Sequence, residues 1–148
     1  MTIIIPYQGI DDITFSMSYS ETKDLLRQKG LRFNTEHWPN KGCSPEVAWD
    51  IIRIGNDISL FFAKNSMFKI YCENSFAGRL NNGISLGMTI RDAEAIDPTI
   101  RYDDWEEIYT SDLGYWLEDD VESGKITSIT VFIKELEDDN VFFRYDWC

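Results

Sequence analysis

The strongest constraint on the fold is that two short helix patterns each stand before a run of short strand patterns. Ser18 starts the first, with Glu21 three residues later as in a capping box, and the spacing predicts a helix over about Tyr19 to Lys29. Thr89 starts the second pattern, which ends at Asp97 because a proline follows.

The strand patterns are rich in β-branched and aromatic residues, and turn signals of hairpin length separate them. The stretch from Pro45 to Ile54 also admits a helix capped by Ser44, and the strand interpretation is favoured. We therefore predict a single α+β domain over residues 1–148, with two short helices packed on antiparallel meander sheets. The predicted strands are Trp49–Ile54, Ile58–Ala63, Met67–Glu73, Trp105–Thr110, Gly114–Glu118, Lys125–Glu135 and Val141–Trp147.

The two helix-and-strand segments are also similar in sequence at a constant spacing of 71 residues. A duplication predicts pseudo-repeats over about 13–74 and 84–135, each a helix followed by a meander. The alternative is that the two halves arose separately, since capped helices before hairpins are common. The matched residues are Ile13 with Ile84, Phe15 with Leu86, Met17 with Met88, Ser18 with Thr89, Glu21 with Asp92 and Leu25 with Ile96.

Composition indicates a globular protein of the cytoplasm. Hydrophobic residues make up 43% and aromatic residues 14% of the chain, which is enough for one packed core. The start of the chain lacks a basic segment before its short apolar run, and no stretch is apolar for long enough to span a membrane. The three cysteines, Cys43, Cys72 and Cys148, form no Cys-x-x-Cys pair and are typical of reduced cytosolic thiols.

Few residues are suited to catalysis or metal binding. His37 is the only histidine, which excludes two-histidine zinc sites. His37 and Cys43 lie six residues apart, so they could act as a catalytic base and a nucleophile. The alternative is that this segment is a loop packed on the sheet edge without a catalytic role. Carboxylates are abundant, so an acid hydrolase stays an alternative, as does a ligand-binding or regulatory domain with an apolar cleft lined by Trp38, Trp49 and Phe76. We predict no enzymatic activity, no metal and no cofactor, since no phosphate-binding glycine loop, dinucleotide fingerprint or Gly-x-Ser-x-Gly motif occurs.

The net charge of −12 is concentrated in one half of the chain. Residues 1–74 carry 8 Lys and Arg against 9 Asp and Glu, whereas residues 75–148 carry 6 against 17. Such an acidic protein gains nothing from counterion release on DNA, RNA or an anionic membrane, so we expect a basic protein as partner. An ordinary solubilising surface with charged, protected sheet edges is the alternative explanation of these acidic turns.

The acidic residues of the second half form three clusters, interleaved with aromatic residues. Because alternate turns of an antiparallel meander lie at opposite ends of the sheet, the first two clusters should be neighbours. The third, from Glu135 to Asp139, should lie at the other end. The predicted partner-binding residues are Asp103, Asp104, Trp105, Glu106, Glu107, Tyr115, Glu118, Asp119, Asp120 and Glu122.

These features together resemble the bacterial toxin-immunity proteins, in particular those of contact-dependent growth inhibition systems. The resemblance lies in small size, strong acidity, five tryptophans, an α+β pattern with the capped stretch from Gly83 to Thr89, and no catalytic constellation. The suggested duplication is also similar to the tandem repeats of β-lactamase inhibitory proteins, although this chain lacks the cysteine pairs usual in those repeats. The resemblance implies a stoichiometric inhibitor that binds a cognate basic toxin domain, commonly a nuclease, and it leaves the oligomeric state open.

Overall fold

The computed structural model describes residues 2–40 and 47–138. Cys43, Pro45 and the strand predicted from Val141 to Trp147 lie outside this part of the chain. Two helices are described, α1 (Tyr19–Gln28) and α2 (Ile90–Ile96), and a 3-10 helix covers Lys134–Glu137. The strands are β1 (Ile3–Ile5), β2 (Gly9–Ile10), β3 (Ile13–Thr14), β4 (Asn34–Asn40), β5 (Val47–Ile54), β6 (Ile58–Ala63), β7 (Ser66–Glu73), β8 (Arg79–Leu80), β9 (Arg101–Asp103), β10 (Ile108–Ser111), β11 (Tyr115–Asp119) and β12 (Ile126–Phe132).

Eight of the strands form one antiparallel sheet in the order β4-β5-β6-β7-β12-β11-β10-β9. Strands β4 to β7 make one meander, β9 to β12 make a second, and the two meanders join where β7 pairs with β12. The short strands β3, β2, β1 and β8 form a separate small sheet, in which β1 and β8 are parallel. The predicted α+β fold with helices on antiparallel meanders is therefore confirmed.

The order of elements repeats: α1 is followed by the four strands β4–β7 (the first unit) and α2 by the four strands β9–β12 (the second unit). In both units the helix N-cap bridges to the start of the unit's last strand, Ser18 to Ser66 and Thr89 to Lys125. The spacing of 71 residues holds for these caps and fails for the strands, since the third strand begins at Ile58 in one unit and Tyr115 in the other. The repeat is thus one of architecture, with shorter strands in the second unit.

Both helix starts have the predicted capping geometry. Ser18 Oγ accepts the backbone N–H of Glu21 at 3.1 Å, and Glu21 Oε1 accepts the N–H of Ser18 at 3.2 Å, which completes a capping box. Thr89 Oγ1 accepts the N–H of Asp92 at 3.1 Å. These bonds satisfy backbone donors that an uncapped helix leaves unpaired.

Some strand boundaries differ from the prediction. The stretch after α1, expected to be irregular, contains the edge strand β4, so His37 lies in a strand and not in a loop. The helix alternative for the residues before Ile54 is wrong over the described part, which is β5. The strand predicted from Trp105 begins only at Ile108, because residues 104–107 form a turn. The strand predicted over Lys125–Glu135 ends at Phe132, and the 3-10 helix follows it.

The two faces of the large sheet have different environments. The face under the helices carries the main core, in which Leu26 of α1 and Ala93 of α2 pack on a cross-strand row of aliphatic residues that includes Leu60 and Ile70. We call the opposite side the helix-free face. It carries a second, smaller core of Ile51, Phe61, Ala63 and Phe68, with Trp49, Tyr71, Ile133 and Leu136 packed against it.

Candidate protein-binding site at the acidic end of the sheet

Two acidic turns lie side by side at one end of the large sheet. One covers residues 104–107 between β9 and β10, and the other covers residues 120–125 between β11 and β12. Since β10 and β12 both start at this end, the turns are neighbours, and the expectation for the first two clusters is confirmed. The 3-10 helix with Glu135 and Glu137 follows β12 at the opposite end, also as predicted. We call the surface formed by Asp103, Asp104, Trp105, Glu106, Glu107, Glu118, Asp119, Asp120, Val121 and Glu122 the acidic end.

Two apolar side chains at the tips of these turns are almost fully exposed to solvent. Trp105 is 90% exposed and Val121 is 91% exposed. The turn that carries Trp105 is held in place, because Asp103 Oδ1 accepts the N–H groups of Trp105 and Glu106 at 2.9 and 3.1 Å. Glu107 closes it with a positive φ of 58° and a backbone bond of 2.8 Å to the Asp103 carbonyl. A large exposed aromatic ring on a fixed turn is a typical anchor for another protein.

The carboxylates of the acidic end have no basic partner among the described residues. Within residues 2–40 and 47–138, no ion pair involves any of the eight acidic residues of this end, whereas ion pairs such as Arg101 with Asp112 form elsewhere. Lys125 is the one basic residue in the two turns. These carboxylates produce a concentrated negative potential at the acidic end. A potential of this sign attracts positively charged proteins.

Glu118 is a carboxylate of the acidic end whose position is fixed by two hydroxyl groups. It lies on the helix-free face, where its Oε1 accepts the Tyr71 hydroxyl at 3.1 Å and the Ser128 hydroxyl at 2.7 Å. Burial raises the pKa of Tyr71, so its hydroxyl stays a proton donor to Glu118 at neutral pH. The two hydrogen bonds therefore fix the orientation of the Glu118 side chain and leave it little rotational freedom.

Tyr115 does not belong to this surface, and its prediction as a contact residue is wrong. The alternation along β11 places it on the face under the helices, where it is 1% exposed. Its hydroxyl donates to Asp97, and burial, followed by that bond, raises the pKa of Tyr115 to about 12. Ser111 Oγ and Thr99 Oγ1 donate to the same carboxylate.

Asp97 is the buried carboxylate of the described chain, and it is unsuited to the role of a general acid. Burial alone would raise its pKa, but the hydrogen bonds from Ser111, Tyr115 and Thr99 outweigh burial, and the pKa of Asp97 lies below its usual value. A general acid needs the opposite shift. Asp97 instead ends α2 and connects it to β10 and β11.

The apolar cleft considered for a ligand-binding domain is not formed. Phe76 lies in the core under the helices, whereas Trp49 packs on Phe61 and Phe68 at the helix-free face. Trp38 is 46% exposed on the edge strand. His37 Nδ1 lies 2.7 Å from Asp50 Oδ1 on the same edge, and its proposed partner Cys43 is outside the described residues.

A polar cavity of about 610 Å³, which no sequence pattern indicated, lies at the same end of the sheet. It lies between the β5–β6 turn and the loop after β7, and its wall includes Arg53, Asp57 and Glu73. The turn residues Gly55 and Asn56 are visible in the sequence, but only the strand order shows that the two loops are neighbours. The register of β6 with β7 was the missing signal.

The described residues offer neither a metal-binding cluster nor a membrane-spanning helix. No group of three or more His, Cys, Asp and Glu residues there has an arrangement that could hold a metal ion. Neither described helix is long and apolar enough to cross a membrane. Burial raises the pKa of the Cys72 thiol to about 12, so this cysteine is an inert core residue.

Comparison with known proteins gives a fold relative and no family. No protein-family model matches the chain, and no curated protein matches it. A solved structure that is similar is the crystal structure of the uncharacterized protein yfeY from Escherichia coli, with a TM-score of 0.55 and 13% sequence identity. The similarity covers 87% of this chain and 99% of yfeY. At this low identity the two proteins share a fold, and the function of this chain has to be inferred from its own residues.

Proposed function

We propose that this protein is a non-enzymatic inhibitor of the immunity-protein type, which binds a basic toxin domain through the acidic end and acts in the cytoplasm. The observation that supports the proposal most is Trp105, which is 90% exposed on a hydrogen-bonded turn. The carboxylates around it form no ion pair with any basic residue that the structure describes. Placing like charges so close together costs folding free energy through repulsion. Asp103 and Asp120 bond within their own turns, whereas no hydrogen bond within the described residues uses the side chains of Asp104, Glu106, Glu107 and Glu122.

The arrangement suits a partner whose own surface binds nucleic acid. A nuclease presents lysine and arginine side chains toward phosphates, and the carboxylates of the acidic end can take the places of those phosphates. Long-range attraction then speeds the encounter, and Trp105 provides the apolar anchor that attraction alone lacks. An interface of standard size covers about 800 Å² on each partner, which the two turns and the adjoining helix-free face can provide.

The test is a pair of charge reversals of equal size. The partner is captured from the producing cells, and its association with the purified protein is followed by stopped-flow mixing at several salt concentrations. Asp119→Lys with Asp120→Lys should lower the association rate about tenfold or more at low salt and flatten its salt dependence. The control is Asp24→Lys with Glu94→Lys, which changes the net charge equally on the two helices and should leave most of the rate.

Two outcomes would contradict the proposal. One is an association rate that both charge reversals lower equally, because the acidic end would then act only through net charge. The other is turnover of a small substrate, such as a glycoside or an ester, by the purified protein alone.

A further inference from the structure

Hydrogen bonds join the two segments that form the walls of the polar cavity. Asn74 Nδ2 donates to the carbonyl of Asn56 at 2.6 Å, and the N–H of Ser75 donates to Asp57 Oδ1 at 3.1 Å. The N–H of Glu73 donates to the carbonyl of Asp57 at 2.9 Å. The β5–β6 turn and the loop after β7 therefore form a preformed recess of about 610 Å³ rather than two independent loops.

The charge of the cavity is negative although an arginine lines it. Arg53 Nε and Nη2 donate to the two carboxylate oxygens of Glu36 at 2.7 and 3.4 Å, and Arg53 Nη1 donates to Ser59 Oγ at 2.8 Å. The Arg53 charge is thus already balanced. The carboxylate of Glu73 has no hydrogen bond or ion pair in the described chain, and Asp57 uses one oxygen for Ser75, so the recess offers carboxylate oxygens without a cation.

The cavity and the acidic end lie close to each other on the helix-free face. Glu73 pairs with Ser128, and Ser128 pairs with Glu118, so the three side chains form one cross-strand row over β7, β12 and β11. Two strand spacings of 4.7 to 4.9 Å place Glu73 about 10 Å from Glu118. One protein surface of ordinary size can therefore cover both.

We propose that the cavity receives an arginine side chain of the same basic partner that the acidic end attracts, an inference that rests on the proposed function. The planar guanidinium presents five donors in a fixed fork, which matches carboxylate oxygens better than a lysine ammonium does. Asp57 and Glu73 accept from it, and the neutralised Arg53 adds no net repulsion. The partner then lies over the helix-free face from the cavity to the turn of Trp105, with the helices on the far side.

A small probe tests the cavity without the partner. N-acetyl-arginine amide is titrated into the full-length ¹⁵N-labelled protein, and amide shifts are followed by NMR. The shifts should be centred on residues 55–57 and 73–75 and saturate with a dissociation constant of about 1 to 10 mM, as expected for a fragment of this size. The uncharged analogue N-acetyl-citrulline amide should bind at least tenfold more weakly.

The variants separate this proposal from the proposed function. Asp57→Asn with Glu73→Gln keeps the shape of the recess and should weaken binding of the arginine probe at least tenfold, whereas Asp104→Asn with Glu106→Gln should leave it unchanged. Shifts centred on residues 103–107, or equal binding of the citrulline analogue, would overturn the arginine site. In that case the stopped-flow result for Asp119 and Asp120 still decides the proposed function independently.

Discussion

The two units dock the N-terminus of their helix on different kinds of turn. The difference indicates which turn residues helix docking requires. In each unit the helix N-terminus docks on the turn before the last strand: Tyr19 N–H donates to Asn65 Oδ1, and Ile90 N–H donates to the carbonyl of Gly124. The first unit does this with the two-residue turn of Lys64 and Asn65, at φ 44° and 69°. The second uses the longer acidic turn of residues 120–125. Since the short turn suffices for docking in the first unit, helix docking alone does not account for the acidic residues of the longer turn, of which Asp120 bonds to Ser123 within the turn.

The helices of the two units also end differently. The last turn of α1 closes through Gly30, which has a φ of 69° and whose N–H donates to the carbonyl of Arg27. A Cβ atom added at Gly30 would meet no other atom within 4 Å. In α2 the chain leaves the helix at Asp97, whose buried carboxylate collects the donors of Ser111, Tyr115 and Thr99. The second unit therefore depends on a buried polar network where the first depends on one glycine.

The largest effect on stability should come from breaking that network. Asp97→Ala should lower the free energy of unfolding by about 3 kcal/mol, because it leaves the buried hydroxyls of Ser111 and Tyr115 and the half-buried hydroxyl of Thr99 without this acceptor. Gly30→Ala, the matched change at the end of α1, should cost about 1 kcal/mol through its positive φ. Urea unfolding monitored by circular dichroism measures both. Equal losses for the two variants would refute the difference between the helix ends.

The tryptophans of the two units provide the next comparison. Trp49 of the first unit packs on Phe61 and Phe68 at centroid distances of 6.0 and 5.3 Å, so Trp49→Ala should cost about 2 kcal/mol of stability. Trp105 of the second unit is 90% exposed, so Trp105→Ala should change stability by less than about 0.5 kcal/mol.

Binding should respond in the opposite way. Trp105→Ala should raise the dissociation constant of the captured partner about thirtyfold, the effect of losing a hot-spot tryptophan, as measured by isothermal titration calorimetry. Trp49→Ala, provided that it remains folded at the assay temperature, should leave it within about threefold. A Trp105 variant that unfolds more easily but binds normally would show that this residue serves the fold.

The sequence predicted the parts of the fold that depend on local interactions. Both N-caps, β6 and the turn at Lys64 depend on residues close in the chain, so their patterns are readable. Strand β4 was missed because its Asn, Glu, His and Pro residues carry no apolar alternation; it forms by pairing with β5 along an exposed edge. Trp105 was assigned to a strand because a tryptophan favours strands, whereas the Asp103 side chain closes a turn there.

The site was predictable only in part, for a related reason. Charge clustering is visible in the sequence, and the alternation of meander turns brought the two clusters to one end correctly. Tyr115 was misplaced because its face of the sheet depends on the register of β11, and a shift of one residue reverses inside and outside. The cavity depends on the pairing of β6 with β7, which joins turns that are about 20 residues apart.

The smallest predicted difference concerns the two helix caps, and it tests how far the units are equivalent. Ser18→Ala combined with Glu21→Ala removes both side-chain bonds of the capping box and should cost about 1.5 kcal/mol, whereas Thr89→Ala removes one bond and should cost about 1 kcal/mol. Glu21→Ala leaves the Ser18 Oγ bond intact and should account for most of the difference between the two caps. Urea unfolding of the three variants gives the values. If Thr89→Ala proved the more damaging change, the acidic second unit would rely on its cap more than the geometry indicates, because α2 has seven residues and α1 has ten.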